Sequence, residues 1–106
     1  MIGELDDFVN HCRVEQRLAP LTCSAYTRDV RACLAFLRRG NRLVGRGPPA
    51  ELRHFLAAEA AHRPAPASQA RTVAALKCFF RFLVEGEAID RDPAAVLRTP
   101  LAFADF

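Results

Sequence analysis

No stretch of this chain approaches the eighteen or more consecutive apolar residues that a membrane span requires. The longest apolar runs, such as Val73–Leu76 and Phe79–Phe80, are far too short. The opening residues lack the basic stretch and apolar core of a secretory signal, because Glu4, Asp6 and Asp7 stand in its place. The expectation is therefore a soluble, unexported, cytoplasmic protein. A zinc knuckle is missing as well. Cys12, Cys23, Cys33 and Cys78 lie 11, 10 and 45 positions apart, and His54 and His62 are eight apart. Neither spacing matches a metal site, so the four thiols are expected to be reduced and to pack, with no cofactor. Lysine is nearly absent: of 15 cationic side chains only Lys77 is not arginine. There is a single tyrosine, Tyr26, and strand signals are scarce.

At 106 residues the chain is one domain's length, and its 51% apolar and 25% charged composition is that of a folded globule rather than a disordered chain. The formal charge of +3 conceals a sharper pattern. Residues 16–81 hold twelve Lys/Arg against Asp29, Glu51 and Glu59, a charge of +9, while residues 1–15 and 82–106 each carry −3. A basic middle between acidic ends is a directed field, and a polyanion is its natural partner. Arginine in particular suits phosphate oxygens and guanine edges, because its planar fork donates two parallel hydrogen bonds.

Apolar periodicity predicts helices throughout. Leu5, Phe8, Val9 and Cys12, with Leu18 at its margin, mark a first helix over about residues 3–17. Pro20 suits the first position of a second helix, which Gly40-Asn41 ends near Arg39. Its core stripe is Tyr26, Val30, Cys33, Leu34 and Leu37; Ser24, Thr27, Arg28, Arg31, Ala35 and Arg38 fall opposite. Residues 40–49 read as a basic loop carrying Arg42 and Arg46. Its Gly40–Gly45 spacing lacks the Lys-Ser/Thr of a phosphate-binding loop. A third helix over about 49–61 turns Leu52, Phe55, Leu56 and Ala60 inward. The stiff His62–Pro66 break leads to a fourth over about 67–85, with Val73, Leu76, Phe80 and Leu83 on its core face and Phe79 on the shoulder. Its far side presents Ser68, Arg71, Ala74, Cys78 and Arg81, flanked by Lys77. Asp92 caps a short fifth helix, Pro93–Arg98. The fold class is all-α, a compact bundle of four main helices plus a short C-terminal one.

Three stretches carry a family resemblance. Residues 18–30, LAPLTCSAYTRDV, resemble the L-S-x-x-T-x-x-x-Y-x-x-D-L signature of the core-binding domain of tyrosine recombinases, the phage integrase and Xer-like proteins. Ser68-x-x-Arg71 followed by Leu76-Lys77-x-Phe79-Phe80-x-Phe82-Leu83 is similar to that domain's S-x-x-R…L-R-x-F-Y-x-F-L helix, and Asp92-Pro93-Ala94-x-x-Leu97-x-x-Pro100 to its closing segment. The three keep the family's order over about residues 4–100, with Ala19 where the family has a capping Ser and Asp92 where it has Asn.

The resemblance implies a SAM-like domain over residues 1–100, with 101–106 a tail toward a catalytic domain. It implies one jaw of a C-shaped clamp on double-stranded DNA, with the second and fourth helices toward the major groove. The implied partners are DNA, the catalytic domain of the same recombinase and further recombinase copies on the DNA, with no membrane. The expected DNA-contacting residues are Thr22, Ser24, Arg28, Arg31, Arg42, Arg46, Ser68, Arg71, Lys77 and Arg81. Asp29 is expected to be a structural ion-pair partner, since a carboxylate repels phosphate. The family's chemistry needs clustered Arg, Lys and His with a nucleophilic Tyr. No H-x-x-R occurs here: Val14, Ala57 and Ala65 stand three residues after the histidines. A lone Tyr26 in mid-helix, without the cations that stabilise a pentavalent phosphate, is inert as a nucleophile, so the chain is expected to bind DNA without cutting it. Two other readings compete: a helical protein–protein module docking through its acidic ends, Phe103 and Phe106, and a stand-alone helix-turn-helix regulator, for which the second helix is too long.

Overall fold

The computed structural model describes residues 2–39, 49–95 and 97. The loop carrying Arg42 and Arg46 and the tail with Phe103 and Phe106 lie outside them. Four helices are present: α1 (Ile2–Asn10), α2 (Pro20–Arg39), α3 (Pro49–His62) and α4 (Pro66–Glu85), and no strand occurs among the described residues. The fold is all-α, a SAM-like helical bundle.

The first segment departs from a regular helix over residues 3–17. Past Asn10 the chain widens into one π turn, His11–Glu15, and the Gln16 amide donates to the His11 carbonyl at 3.0 Å. Phe8 and Cys12 are both fully buried, while Arg13, Val14 and Glu15 are exposed. The added residue per turn swings these three off the core face. Arg17 then takes a left-handed conformation, φ 53°, and the Leu18 amide closes onto the Cys12 carbonyl at 3.0 Å, reversing the chain into α2.

Pro20 starts α2, as its fixed φ and missing N–H favour. Val30, Cys33, Leu34 and Leu37 are buried as the periodicity predicts, joined by Cys23 and Asp29. Helix α3 contributes Leu52 and Phe55, and α4 contributes Val73, Leu76, Phe80 and Leu83 together with Thr72 and Ala75. Phe79 is not on the shoulder but wholly buried. Its ring meets Phe8 edge-on at 5.2 Å and Phe80 at 5.2 Å, tying α1 to the centre of α4. The closest helix pair is α2 with α4, and it forms the spine of the bundle.

Helix α4 ends in a Schellman motif: the Ala88 amide donates to the Leu83 carbonyl (2.9 Å) and Glu87 to Val84 (3.0 Å). The left-handed position is Glu87, φ 61°, and not the neighbouring Gly86. Beyond it the expected fifth helix is a turn at Pro93–Ala95. Asp92 Oδ1 accepts from the Ala94 amide at 2.8 Å, as a cap should, and Ala94 and Leu97 seal the base of the core. The other residues of that predicted helix, Val96 and Arg98, are outside the described set.

Candidate nucleic-acid interface

The outward side of α2 is built as the sequence suggests. Ser24, Arg28, Arg31, Ala35 and Arg38 are exposed, opposite the buried stripe. Thr22 and Thr27 are half-buried, and the Thr27 hydroxyl donates to the Cys23 carbonyl at 2.7 Å, which occupies its proton inside the helix. Leu21, Ala25, Arg28, Ala32 and Ala35 follow one another at three- and four-residue steps and share one side of the helix, a ridge on which Leu21, Arg28 and Ala35 are exposed while Ala25 and Ala32 are half-buried, Ala32 against the core.

Two concavities take residues from α2 and its neighbours. One, of about 690 Å³, lies between α2 and the first helical segment; Val9, Arg13, Leu18, Ser24, Thr27 and Arg31 are among its lining residues. The other, about 290 Å³, is lined mainly by α4 (Ala74, Lys77, Cys78, Arg81, Phe82 and the acid Glu85), with Tyr26 from α2 and His11, Gln16 and Leu18 from the reversal before it. The candidate residues therefore divide: Ser24 and Arg31 belong to the first hollow, Lys77 and Arg81 to the second, and Arg28, exposed on α2, lines neither. Ser68 belongs to neither. It lines a third, smaller hollow of about 180 Å³ between α3 and α4, beside Glu59, Arg63 and Thr72.

Among the described residues, Arg28, Arg31, Lys77 and Arg81 make no ion pair. Arg71 differs. It reaches across to α2, where Nε donates to Asp29 Oδ2 at 2.9 Å and Nη2 to Oδ1 at 3.3 Å. Asp29 is 1% exposed and the Arg71 side chain 29% exposed, so the carboxylate is sealed while the guanidinium stays partly open. The Asp29 hydrogen bonds raise the Arg71 pKa further above its ordinary value, although partial burial opposes them. Asp29 is thus the interhelix ion-pair partner that its sign suggests, joined to a residue 42 positions away.

The remaining polar groups are chemically quiet. Burial raises the Tyr26 pKa, and its hydroxyl makes no hydrogen bond among the described residues. The thiols of Cys12 and Cys33 are pushed up to about 12 by burial, and that of Cys78 is raised for the same reason. Among the described residues no three His, Cys, Asp or Glu side chains gather as a metal site would need. No helix there is long and apolar enough to cross a membrane. Arg13 is not among the expected contacts. It lies in the segment of net charge −3 and lines the same hollow as Arg31.

Comparison with known proteins agrees with this architecture. Residues 5–87 match the family model described as "Phage integrase, N-terminal SAM-like domain". The chain is 40% identical over 82 residues to tyrosine recombinase XerC of Nitrobacter winogradskyi, covering 72% of this chain and 26% of that protein. It is 29% identical over 102 residues to XerC of Xanthomonas campestris pv. campestris, covering 95% and 32%. It is 32% identical over 100 residues to tyrosine recombinase XerD of Lacticaseibacillus casei, covering 94% and 34%. The chain thus spans between a quarter and about a third of the length of these curated relatives. No solved structure matches it. With the family model covering most of its length and the four-helix bundle in place, the chain belongs to the phage integrase N-terminal SAM-like domain family of tyrosine recombinases.

Proposed function

We propose that this domain binds duplex DNA as the core-binding half of a site-specific tyrosine recombinase, gripping one side of the duplex in a C-shaped clamp. The strand-cutting chemistry belongs to a partner catalytic domain. The observation that carries the reading is the set of arginines and a lysine standing exposed or half-exposed on α2 and α4, without acid partners among the described residues. A helix ridge of small residues suits the B-DNA major groove, which is about 12 Å wide and admits one helix. With the α2 ridge in the groove, the phosphates on one side approach Arg13 and Arg31, and those on the other approach Lys77 and Arg81. Arg42 and Arg46, in the basic stretch of sequence after α2, add backbone contacts in this reading, and Thr22 and Ser68 add hydroxyl donors. No residue of this domain takes part in phosphoryl transfer, and it acts in the cytoplasm, on DNA held jointly with other recombinase copies.

Contacts of this kind release condensed counterions, so affinity falls steeply with salt. The isolated domain should bind a short duplex with a dissociation constant on the order of 10⁻⁴ to 10⁻⁶ M at physiological salt. Titration by fluorescence anisotropy at two salt concentrations tests this, and binding that is absent, or indifferent to salt, refutes it. A purified chain that nicks supercoiled DNA would overturn the non-catalytic assignment. A second reading, a protein-docking helical module, draws on Leu21 and Val14, which are 86% and 57% exposed near the α1–α2 reversal. Leu21→Ser that leaves DNA affinity intact but abolishes association with a partner domain would favour it.

A further inference from the structure

Resting on the DNA-binding reading, we propose that Asp29 is a positioning residue. It holds Arg71 side-on, through Nε and Nη2, so that the outer edge of the guanidinium meets a pair of acceptor atoms on the duplex.

The geometry makes the two edges of the guanidinium unequal. The inner edge is committed to a carboxylate that is 1% exposed and therefore cannot follow the arginine outward. Nη1 and the second hydrogen of Nη2 have no hydrogen-bond partner among the described residues, and 29% of the side chain is open. Fixed at two points, the side chain has little rotamer freedom left to lose on binding, so its remaining donors are aimed before any ligand arrives. A planar fork presented in this way fits the O6/N7 pair of guanine or two phosphate oxygens, and both offer two acceptors side by side. Because the Asp29 charge offsets that of Arg71, the pair adds little to long-range attraction and acts mainly through direction.

Charge alone and positioning predict opposite signs for one substitution. Asp29→Asn raises the net charge by one and removes an acid from the DNA-facing region, so simple electrostatics tightens duplex binding. Positioning predicts weaker binding despite the extra charge. Arg71→Lys is the companion variant: the ammonium still neutralises Asp29 and preserves the packing, but no fork remains to face outward. The assay is anisotropy with a labelled duplex of about 20 base pairs over a range of salt, using the 106-residue chain below the melting temperature that circular dichroism gives for each variant. Both substitutions are expected to weaken binding by roughly five- to a hundredfold, the range for loss of one bidentate contact. In an Arg71→Lys background, Asp29→Asn should have little further effect, a coupling that two independent structural defects would not show.

Two arms separate the acceptors. If Arg71→Lys lowers the salt-dependence slope by about one, the acceptors are phosphate oxygens. If the slope holds but a preferred base disappears when a randomised duplex pool is selected, they are a base edge. Arg71→Lys binding like wild type, or Asp29→Asn binding as tightly or more tightly, overturns the proposal while the DNA-binding reading stands. A wild-type chain with no salt-dependent binding brings down that reading instead. Should Asp29→Asn not fold, Arg71→Lys alone decides.

Discussion

Removing the Arg71 side chain should damage the fold far more than removing an ordinary surface arginine. An exposed ion pair contributes at most about 1 kcal/mol. Breaking a buried pair from one side costs about 3–5 kcal/mol, because an uncompensated charge is left out of water. The Asp29–Arg71 pair is dry at one end and wet at the other, 1% against 29% exposed, so the cost depends on which partner goes. Arg71→Ala strands a sealed carboxylate and should approach the buried figure, about 3 kcal/mol or more. Asp29→Asn leaves a long, partly open cation that can turn to water, and the Asn oxygen still accepts one hydrogen bond; about 1 kcal/mol is expected. For a domain of this size each kcal/mol moves the melting temperature by roughly 4–8 °C, so Arg71→Ala should lower it by roughly 12–24 °C and Asp29→Asn by about a third of that. Thermal melts followed by circular dichroism at 222 nm, with urea titrations for the free energies, measure both. Equal deficits for the two variants, or an Arg71→Ala deficit below 1 kcal/mol, would refute the view that Asp29 is dehydrated. Lys77→Ala, with no acid partner among the described residues, should leave the melting temperature nearly unchanged where Arg71→Ala lowers it.

Other expectations follow from the packing. Leu76, fully buried at the centre of α4, should cost about 2–5 kcal/mol when changed to alanine, and a urea-melt deficit under half a kcal/mol would mean that the site is not core. Glu87→Gly should stabilise by up to about 1 kcal/mol, since the left-handed backbone at that position strains any L side chain; a lowered melting temperature would contradict the motif assigned to the end of α4. Cys12 and Cys33 should resist thiol reagents at pH 8 until the chain unfolds, with half-exposed Cys78 reacting ahead of them; mass spectrometry after partial alkylation reads the order. The same burial gives an alkaline limit. The folded thiols sit near 12 against an ordinary 9, so between those values the unfolded chain sheds protons that the folded chain keeps. Stability should be full below about pH 9 and decline as the pH rises toward 12. A urea midpoint that stays flat across that window would show those thiols to be solvated.

Much of the bundle was legible because its signals are local. Pro20 and Pro49 open two helices where expected, α4 begins at Pro66 at the end of the expected break, and the apolar steps within α2 and α4 name their buried faces nearly residue by residue. The failures have a common cause in contacts between elements. Phe79 is placed on the shoulder by its own helix's periodicity, yet Phe8 arrives from α1 and closes over it. The π turn at His11–Glu15 has no composition cue, because it reflects the need to bury Cys12 beneath a chain that must reverse before Pro20. The αL residue after α4 went to Glu87 rather than Gly86, which shows that the hydrogen-bonding register of the last turn outweighed the intrinsic preference of glycine.

The candidate interface shows the same limit more sharply. A helical wheel gives the angle of each arginine about its own axis but not what stands beside that axis. On α4 the wheel groups Arg71 with Arg81, ten residues and nearly three turns apart. In the bundle α2 flanks both, but it offers Arg71 the carboxylate of Asp29 and leaves Arg81 at an open hollow beside Tyr26. The sequence count of +9 across residues 16–81 therefore overstates the free charge near Arg71 and understates it near Arg31, which gains Arg13 from a segment that counts as acidic. Arg13 and Arg31 line one hollow, and Lys77 and Arg81 line the other together with Glu85. Arg28→Ala, exposed on the α2 ridge and in no ion pair among the described residues, should weaken duplex binding without lowering the melting temperature, the reverse of the Arg71→Ala effect on the fold. A melting temperature that falls with Arg28→Ala, or an affinity that does not, would mean that the ridge is not the surface the duplex meets.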